Sequence, residues 1–472
     1  MKGILAYEVY VPHHRLDNEE ITSFHGGLTG RGSKSVAHYD EDSLTMAVNA
    51  SLPLTKQWEN KPPQSIYFAS TSSPYQEKLG SVTMSKALQL PSSTKTIDFG
   101  NSLRASTNAF FTGLDSVTSQ QERVLVSMAD RRLVKPNSPL EAEMGAGAVS
   151  FLLGEGEDVL AELVASTHVG SEEISQWRTG EDVFVRQWED RFIATSASES
   201  VQECAIKVLT KAASTLDKVD YVILAGASQK LSLNLAKALR IDKEKLVTMK
   251  DNSIGHLGTA NGPFMVSKAL AISKPNQQIL WLQVGDGCDG ALLRTTEHLS
   301  TYRSEGLPII AENKVSYGQY LRWHELIGID EGRRPSDPTP SAPALKRNQE
   351  QNLGLTGSIC TQCGQPYFPR QRVCVKCSAK DEMDTFSLQG KSAKVATYTV
   401  DYLASSVSPP SIFAVVDIEG GSRMLAQVTD CQPEELSIGT EVQFSFRKLY
   451  EAGGIHNYFW KVVPKRGAHH ES

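Results

Sequence analysis

Cys360, Cys363, Cys374 and Cys377 form two Cys-x2-Cys pairs with ten residues between them. Each pair aims two thiolates at one ion, and a hairpin between the pairs closes a tetrahedral four-sulfur zinc site. A closed site has no open position for water, so Zn2+ is expected as a structural staple whose binding orders the lobe around it. Four incidental reduced cysteines are a poor account of this spacing. A redox Cys-x2-Cys is equally poor, because two such pairs are present. Cys204, Cys288 and Cys431 are scattered. This is metal usage in a reducing compartment, not a disulfide framework, and it points to a cytoplasmic protein.

The elements that position such a lobe emerge from the whole chain. At 472 residues it is long for one core, so two or more domains are expected. It is 40% hydrophobic and 22% charged with a net charge of −6, which excludes a basic, dedicated nucleic-acid binder. No apolar run approaches the roughly 20 residues of a membrane-spanning helix. The opening MKGILAYEVYVPHHR is too short and interrupted for a signal peptide. The clearest break is residues 330–352, rich in Pro, Ser and charge, which reads as a linker. Before it, strand-like runs at 65–69, 123–128 and 221–225 alternate with helix-like stretches such as 200–216, the mark of α/β layers. After the cysteines come five strand-like runs, 393–402, 411–418, 422–429, 441–449 and 458–463, as in a small barrel of the OB type. There is also an internal echo. Strand 65–69, a strand ending at Asp98, a small-residue turn and a helix through 102–114 correspond to strand 221–225, a strand at 246–249, a Gly-rich turn and a helix through 264–272. Two such units facing each other would make five layers with both turns at the centre.

The segments GRGSKSVAHYDEDSLTMAVNA (30–50), GAGAVSFLLG (145–154), Trp177 to Phe192 and GDGCDGALL (285–293) resemble hydroxymethylglutaryl-CoA synthase, a member of the thiolase superfamily, over residues 1–300. The ribbon and barrel segment resembles the zinc-ribbon/OB-fold accessory domain called DUF35, which accompanies thiolase-like enzymes. The resemblance implies an α/β fold of the duplicated five-layer thiolase type, with halves at 1–165 and 166–329. A rubredoxin-like zinc ribbon at 353–384 and an OB-type barrel at 385–466 follow the linker. It further implies binding of an acyl-CoA thioester, a homodimer, and the option of a separate thiolase-like partner subunit.

A synthase of this family needs a cysteine nucleophile at a helix start, a glutamate base and a histidine that polarises the acceptor. Matched residue by residue, the nucleophile position holds Leu103, the base position holds Thr71, and no histidine follows strand 221–225. No cysteine occurs anywhere in residues 1–203. Ser102 beside Leu103 reads as a helix N-cap. What the resemblance leaves is the Gly-rich turn 255–262, where His256 stands at a position that is usually asparagine in the synthases. An imidazole there suits an oxyanion donor or an acid/base near neutral pH, and a buried structural histidine is the competing reading. Tyr75 is a second catalytic candidate. Thr71, Leu103, Gly255, Cys288 and Asn261 are candidate substrate contacts, and Glu77, Lys230 and Arg104 rank below them. The expected function is retro-aldol cleavage or condensation of a β-hydroxyacyl-CoA. The alternatives are a non-catalytic or half-catalytic thiolase-like subunit or scaffold working with an active partner chain, and a synthase-type Claisen condensation, which requires the missing thiol.

Overall fold

The computed structural model describes residues 1–466 except 28–30, 59–60, 120–121, 173–174, 181, 227, 250–252, 308–312, 329, 331–338 and 405. Gly30 of the first family-like segment and residues 331–338 of the expected linker therefore lie outside the described residues. The chain divides into two compact units. The first comprises residues 1–37, 42–82 and 91–317, and the second 38–41, 83–90 and 318–472. Among the described residues, no helix is long and apolar enough to cross a membrane.

The first unit is built on one nine-stranded sheet. Its strands are β1 (Lys2–Tyr10), β2 (Ser65–Ala69), β3 (Lys95–Phe99), β4 (Arg123–Arg131), β5 (Ala146–Glu155), β6 (Ala161–Gly170), β7 (Tyr221–Ala225), β8 (Gln278–Val284) and β9 (Gly287–Thr295). Their order is β7-β8-β9-β6-β1-β5-β4-β2-β3. β2 is parallel to both β3 and β4, and β7 is parallel to β8, while the remaining pairs are antiparallel. The sheet is thus two similar halves joined where β1 meets β6 through Gly3 and Ile4. The runs read as strands are near-continuous Val, Ile, Leu and Phe, as strands covered on both faces require.

The helices are α1 (Asn18–His25), α2 (Ser43–Ser51), α3 (Gly80–Ala87), α4 (Ala105–Ser116), α5 (Asp190–Lys211), α6 (Gln229–Ala238) and α7 (Asn261–Ile272). α4 and α7 share one core with both sheet halves, through Phe110, Leu114, Phe264 and Leu270 on the helices and Val126, Phe151, Ile223 and Trp281 on the strands. α2 covers the far side of the first half, and α5 with α6 the far side of the second. Helix, sheet, helix pair, sheet and helix pair make the five layers the internal echo implied. α7 is buried on almost every face, which fits its mostly apolar sequence.

Three expectations need correction. Residues 246–249 do not form a strand; the echo of β3 survives only as a parallel bridge between Val222 and Leu246. The chain turns tightly through Asp242–Leu246 and meets β7 only around Val222. The helix read at 200–216 spans Asp190–Lys211. Residues 330–352 are not wholly extended linker. They carry α9 (Ala342–Arg347) and the start of α10 (Gln349–Gly354), after α8 at Tyr317–Trp323.

The second unit holds a three-stranded ribbon sheet and a closed barrel. The ribbon strands are β10 (Thr356–Cys360), β11 (Pro366–Tyr367) and β12 (Met383–Ser387). The barrel strands are β13 (Ala393–Asp401), β14 (Ser411–Ile418), β15 (Ser422–Val428), β16 (Glu441–Ala452) and β17 (Ile455–Pro464), closed in the order β13-β14-β15-β17-β16. Along β15 the buried residues Ser422, Met424, Ala426 and Val428 alternate with outward ones, the period of a small barrel wall.

Inside this unit, residues 38–41 supply carboxylates to cations of the barrel. Arg447 on β16 and Lys461 on β17 are almost wholly buried. Arg447 Nη1 lies 3.1 Å from Asp40 Oδ1 and 2.9 Å from Glu41 Oε1, and its Nη2 reaches Asp430. Lys461 Nζ lies 2.7 Å from Asp40 Oδ2, which also accepts from Thr429 Oγ1 at 2.9 Å. Buried charges persist only when paired in this way.

Candidate functional site

The first unit contains a cleft of about 730 Å³. Its walls follow from the sheet. The chain leaves the carboxyl ends of β2, β3, β4, β7 and β8 and contributes Ser70–Leu79, Asp98–Leu103, Arg132, Gly226 and Gly285–Asp286 in turn, while residues 175–180 and Asp182 close one side. Carboxyl ends of strands are where open α/β sheets place ligands.

The turn after β3 carries Ser102 and Leu103 into α4. Leu103 lines the cleft with only 7% of its surface exposed. Ser102 is not the N-cap of α4; that position is Arg104. Ser102 Oγ instead donates to Asp286 Oδ2 at 2.6 Å, joining the β3–α4 turn to the β8–β9 turn. Asp286 sits at φ +46° between Gly285 and Gly287, a left-handed conformation that a carboxylate side chain tolerates better than most. Gly226 fills the corresponding turn after β7 at φ +86°. A Cβ there would lie 2.0 Å from the carbonyl oxygen of Val284, so no larger residue fits.

A buried carboxylate organises the opposite wall. Asp130, at the end of β4, accepts from the hydroxyls of Ser70, Thr71 and Ser72 and from the backbone N–H groups of Thr71, Ser72 and Thr259, at 2.7–3.0 Å. Gly258 must be glycine because a Cβ would stand 2.3 Å from Asp130 Oδ2. Asp130→Asn removes the charge and turns an amide N–H2 toward these donors. The expected result is a loss of about 2 kcal/mol of stability, seen as a lower midpoint in urea with an unchanged slope.

The expected site residues fall into two groups. Thr71, Tyr75 and Leu103 line the cleft, and so does Glu77. The Thr71 hydroxyl, however, is committed to Asp130. The Tyr75 ring has the ammonium of Lys78 5.4 Å from its centroid. His256, Gly255, Asn261 and Cys288 do not line the cleft. His256 is fixed by its backbone, whose N–H donates to Glu143 O and whose carbonyl accepts from Gly145 N–H. Its Nδ1 accepts from Gly258 N–H at 3.1 Å, so the neutral ring carries its proton on Nε2. Burial, and then the charge of Arg132, push its pKa down to about 3. A ring that stays neutral at pH 7 with so low a pKa is a weak base. Asn261 caps the turn through Leu257 N–H. Cys288 is fully buried, and burial, with Cys204 beside it, pushes its thiol well above the usual range. Arg104 is spent on structure: its guanidinium reaches Asp289 at 2.5 Å and Asp286 O at 2.7 Å, while Thr107 and His168 complete the shell of Asp289. Lys230 is exposed on α6.

Sequence reasoning missed Asp130, Arg132, Arg178 and Asp286. The signal for the first two was present, since Ala129-Asp-Arg-Arg132 directly ends a strand.

In the second unit the four ribbon cysteines come together as expected, with their sulfurs within 4.8 Å of one another. Cys360 Sγ lies 3.6 Å from Cys377 Sγ, and Cys363 Sγ 3.5 Å from Cys374 Sγ. A tetrahedral zinc with bonds of about 2.3 Å separates its sulfurs by about 3.8 Å. These residues therefore fit Zn2+ as a structural ion.

Known proteins match the chain in two blocks. Residues 351–384 match the family model described as ChsH2, rubredoxin-like zinc ribbon domain, and residues 388–447 the ChsH2, C-terminal OB-fold domain. The hydroxymethylglutaryl-CoA synthase of Thermococcus onnurineus is 28% identical over 296 residues, 60% of this chain and 83% of its own length. The synthase of Pyrococcus horikoshii is 29% identical over 298 residues, with the same coverage. The DUF35 domain-containing scaffold protein of Methanocaldococcus jannaschii is 36% identical over 123 residues, 25% of this chain and 86% of its own. Among solved structures, an HMG-CoA synthase complexed with CoA superposes at a TM-score of 0.62 with 15% identity, covering 68% of this chain and 89% of the other. The 3-oxoacyl-[acyl-carrier-protein] synthase III of Aquifex aeolicus does so at 0.56 with 20% identity, covering 62% and 100%. Fold and cleft thus define a thiolase-type protein with an appended metal ribbon and barrel. The chain is an HMG-CoA synthase-like thiolase-fold domain fused to a C-terminal DUF35-type zinc-ribbon and OB-fold domain, and through that C-terminal part it belongs to the DUF35 family.

Proposed function

We propose that the chain is an enzyme that makes or breaks a carbon–carbon bond in an acyl-CoA thioester without a covalent acyl-enzyme, and that its reaction is retro-aldol cleavage of a β-hydroxyacyl-CoA. One observation carries this reading. The cleft residue in the turn between β3 and α4 is Leu103, and among the described residues no cysteine lines the cleft. Leucine cannot be acylated, whereas retro-aldol cleavage needs only a base and an oxyanion donor.

Asp286 is the residue we assign as base. The other aspartates of the cleft are tied down: Asp98 by the N–H groups of Gly80 and Ser81, Asp182 by Thr179 and Arg186. Asp286 is solvent-exposed and takes the Ser102 hydroxyl on one oxygen. Its carboxylate removes the β-hydroxyl proton and the Cα–Cβ bond breaks. The electron pair passes to the thioester as an enolate, and the same proton returns to Cα. The products are an aldehyde or ketone and a shortened acyl-CoA, with no co-reactant. Leu103 N–H, which has no hydrogen-bond partner among the described residues, is the oxyanion donor in this scheme.

The test is purified protein with β-hydroxyacyl-CoA substrates, followed by mass spectrometry. The carbonyl product and shortened thioester are expected, and Asp286→Asn is expected to lower kcat about 100-fold. An acyl adduct on the protein would sink the scheme and restore the Claisen alternative. A second reading, a subunit that organises a separate active chain, is favoured by the DUF35 relatives being scaffold proteins. Activity that arises only after a thiolase-like partner is added would select it. The homodimer and the cytoplasmic location are parts of this proposal, resting on the family resemblance and the cysteine usage.

A further inference from the structure

The four sulfurs of the ribbon are not equivalent. Cys360 and Cys374 are 1% exposed, Cys363 is half-buried and Cys377 is exposed. Tyr367 adds a second asymmetry. From the end of β11 its phenol reaches the second Cys-x2-Cys pair, where its oxygen accepts from Lys376 N–H at 3.3 Å and lies 3.2 Å from Cys374 Sγ. As a zinc ligand Cys374 is a thiolate and only accepts, so the phenol proton turns to that sulfur. Cys374 Sγ also takes Cys377 N–H at 3.4 Å. Among the described residues Tyr367 is the one side chain other than cysteine bonded to a ribbon sulfur. Cys377 Sγ has the backbone N–H of Ala379 beside it and otherwise the other ribbon sulfurs.

A hydrogen bond draws charge from a thiolate and makes it a poorer nucleophile, and outer-shell donors of this kind tighten a metal site. Access and electron density therefore select the same sulfur. Cys377 is within reach of an incoming electrophile, and it lacks the phenol that damps Cys374. The thiols outside the ribbon compete poorly. Cys204 and Cys288 are fully buried, and burial pushes the Cys431 thiol up to about 12.

We propose that Cys377 is an oxidation site attacked by hydroperoxides, and that Tyr367 directs the attack there by shielding Cys374. The Cys377 sulfur takes one peroxide oxygen as the O–O bond breaks. It becomes a sulfenic acid, and the departing alkoxide or hydroxide takes a proton from water. Cys360 Sγ, 3.6 Å from Cys377 Sγ, then attacks the sulfenyl sulfur. The S–S bond forms, the S–O bond breaks and hydroxide leaves. One hydroperoxide is reduced and two thiolates are oxidised. Cys363 and Cys374 are then half a ligand set, so the ribbon gives up Zn2+ and the order that depends on it. Tyr367 acts through Cys374 and is a positioning residue.

The test uses the full zinc-loaded chain with hydrogen peroxide as the probe. A chromophoric chelator follows zinc release, dimedone traps sulfenic acid, and peptide mass spectrometry assigns each sulfur. The proteins are the unmodified chain, Tyr367→Phe and Cys377→His, which keeps four zinc donors. In the unmodified chain the first dimedone adduct is expected on Cys377, about tenfold above any other ribbon cysteine. Without dimedone, the first disulfide is expected between Cys377 and Cys360. Tyr367→Phe is expected to hold as much zinc as the unmodified chain and to raise the Cys374 adduct about tenfold. A tyrosine with a merely structural role would not change which sulfur reacts. Cys377→His is expected to slow zinc release by peroxide about tenfold. First attack on Cys360, Cys363 or Cys374 in the unmodified chain overturns the proposal. So does zinc release from Cys377→His at the unmodified rate. An unchanged Cys374 adduct in Tyr367→Phe overturns the role of the tyrosine. Where a variant fails to hold zinc, the order of adducts in the unmodified chain decides alone.

Discussion

Asp40→Ala destabilises the second unit by about 3–5 kcal/mol, because it leaves two buried cations facing each other without their shared carboxylate. Arg447 retains Glu41 and Asp430, but Lys461 has no other carboxylate within 4.0 Å among the described residues. Asp40→Asn keeps the shape and loses the charge, so it falls between the two. The same cluster sets an acid limit. Burial pushes the Asp40 carboxyl up, but Lys461, His38 and Arg447 outweigh it and hold the group well below its usual value of 3.8. A carboxyl depressed on folding stabilises the folded state fully above its unfolded pKa, and that stability is lost as pH falls through the folded value. Lys461 behaves in the opposite sense. Burial lowers it, the charge of Asp40 more than restores it, and the net shift is upward from 10.5. Its contribution is complete below pH 10.5 and disappears as pH rises further. Urea midpoints followed by β16–β17 hydrogen exchange should therefore decline below about pH 4 in the unmodified chain. They should decline much less in Asp40→Ala. An Asp40→Ala midpoint equal to the parent's would show that the pairs add nothing.

Removing zinc is the second large effect. A strong chelator is expected to release one ion per chain and abolish amide protection across β10–β12, since the free energy of binding structural zinc is about 10–16 kcal/mol in isolated fingers. The four ribbon thiols become reactive at the same time. Cys360→Ser, which removes a buried ligand, should reproduce the loss without chelator. The sheet of the first unit keeps its protection throughout. Protected ribbon amides in a metal-free sample would contradict the staple assignment.

Much of the architecture could be read from the chain because it rests on local signals. The buried runs at 65–69, 221–225 and 411–418 are strands at those same residues. The ribbon was legible because two thiols three residues apart have one economical use. Residues 246–249 misled because Val, Thr and Met favour a strand, yet strand formation needs a partner along its whole length, and only Val222 supplies one. The cleft was partly legible. A turn at a strand's carboxyl end can be placed from sequence, so Leu103 and Thr71 were found. The direction of a side chain within a Gly-rich turn cannot, and His256 was misplaced for that reason. Arg132, Arg178 and Asp286 come from segments far apart in sequence. Only the sheet order brings them together.

The acidic segment 38–41 has a consequence for how the protein comes into being. Asp40 is followed by more than four hundred residues before its partners exist: 407 separate it from Arg447 and 421 from Lys461. During synthesis from the N-terminus these carboxylates wait in water until the barrel strands that carry their partners have emerged. Closure of so long a loop makes the barrel a late and slow event, with high contact order. A barrel made on its own from residue 318 onward would be a different object, with two cations in its interior and no Asp40 or Glu41 to meet them. The fused arrangement is therefore written into the folding of the C-terminal part itself.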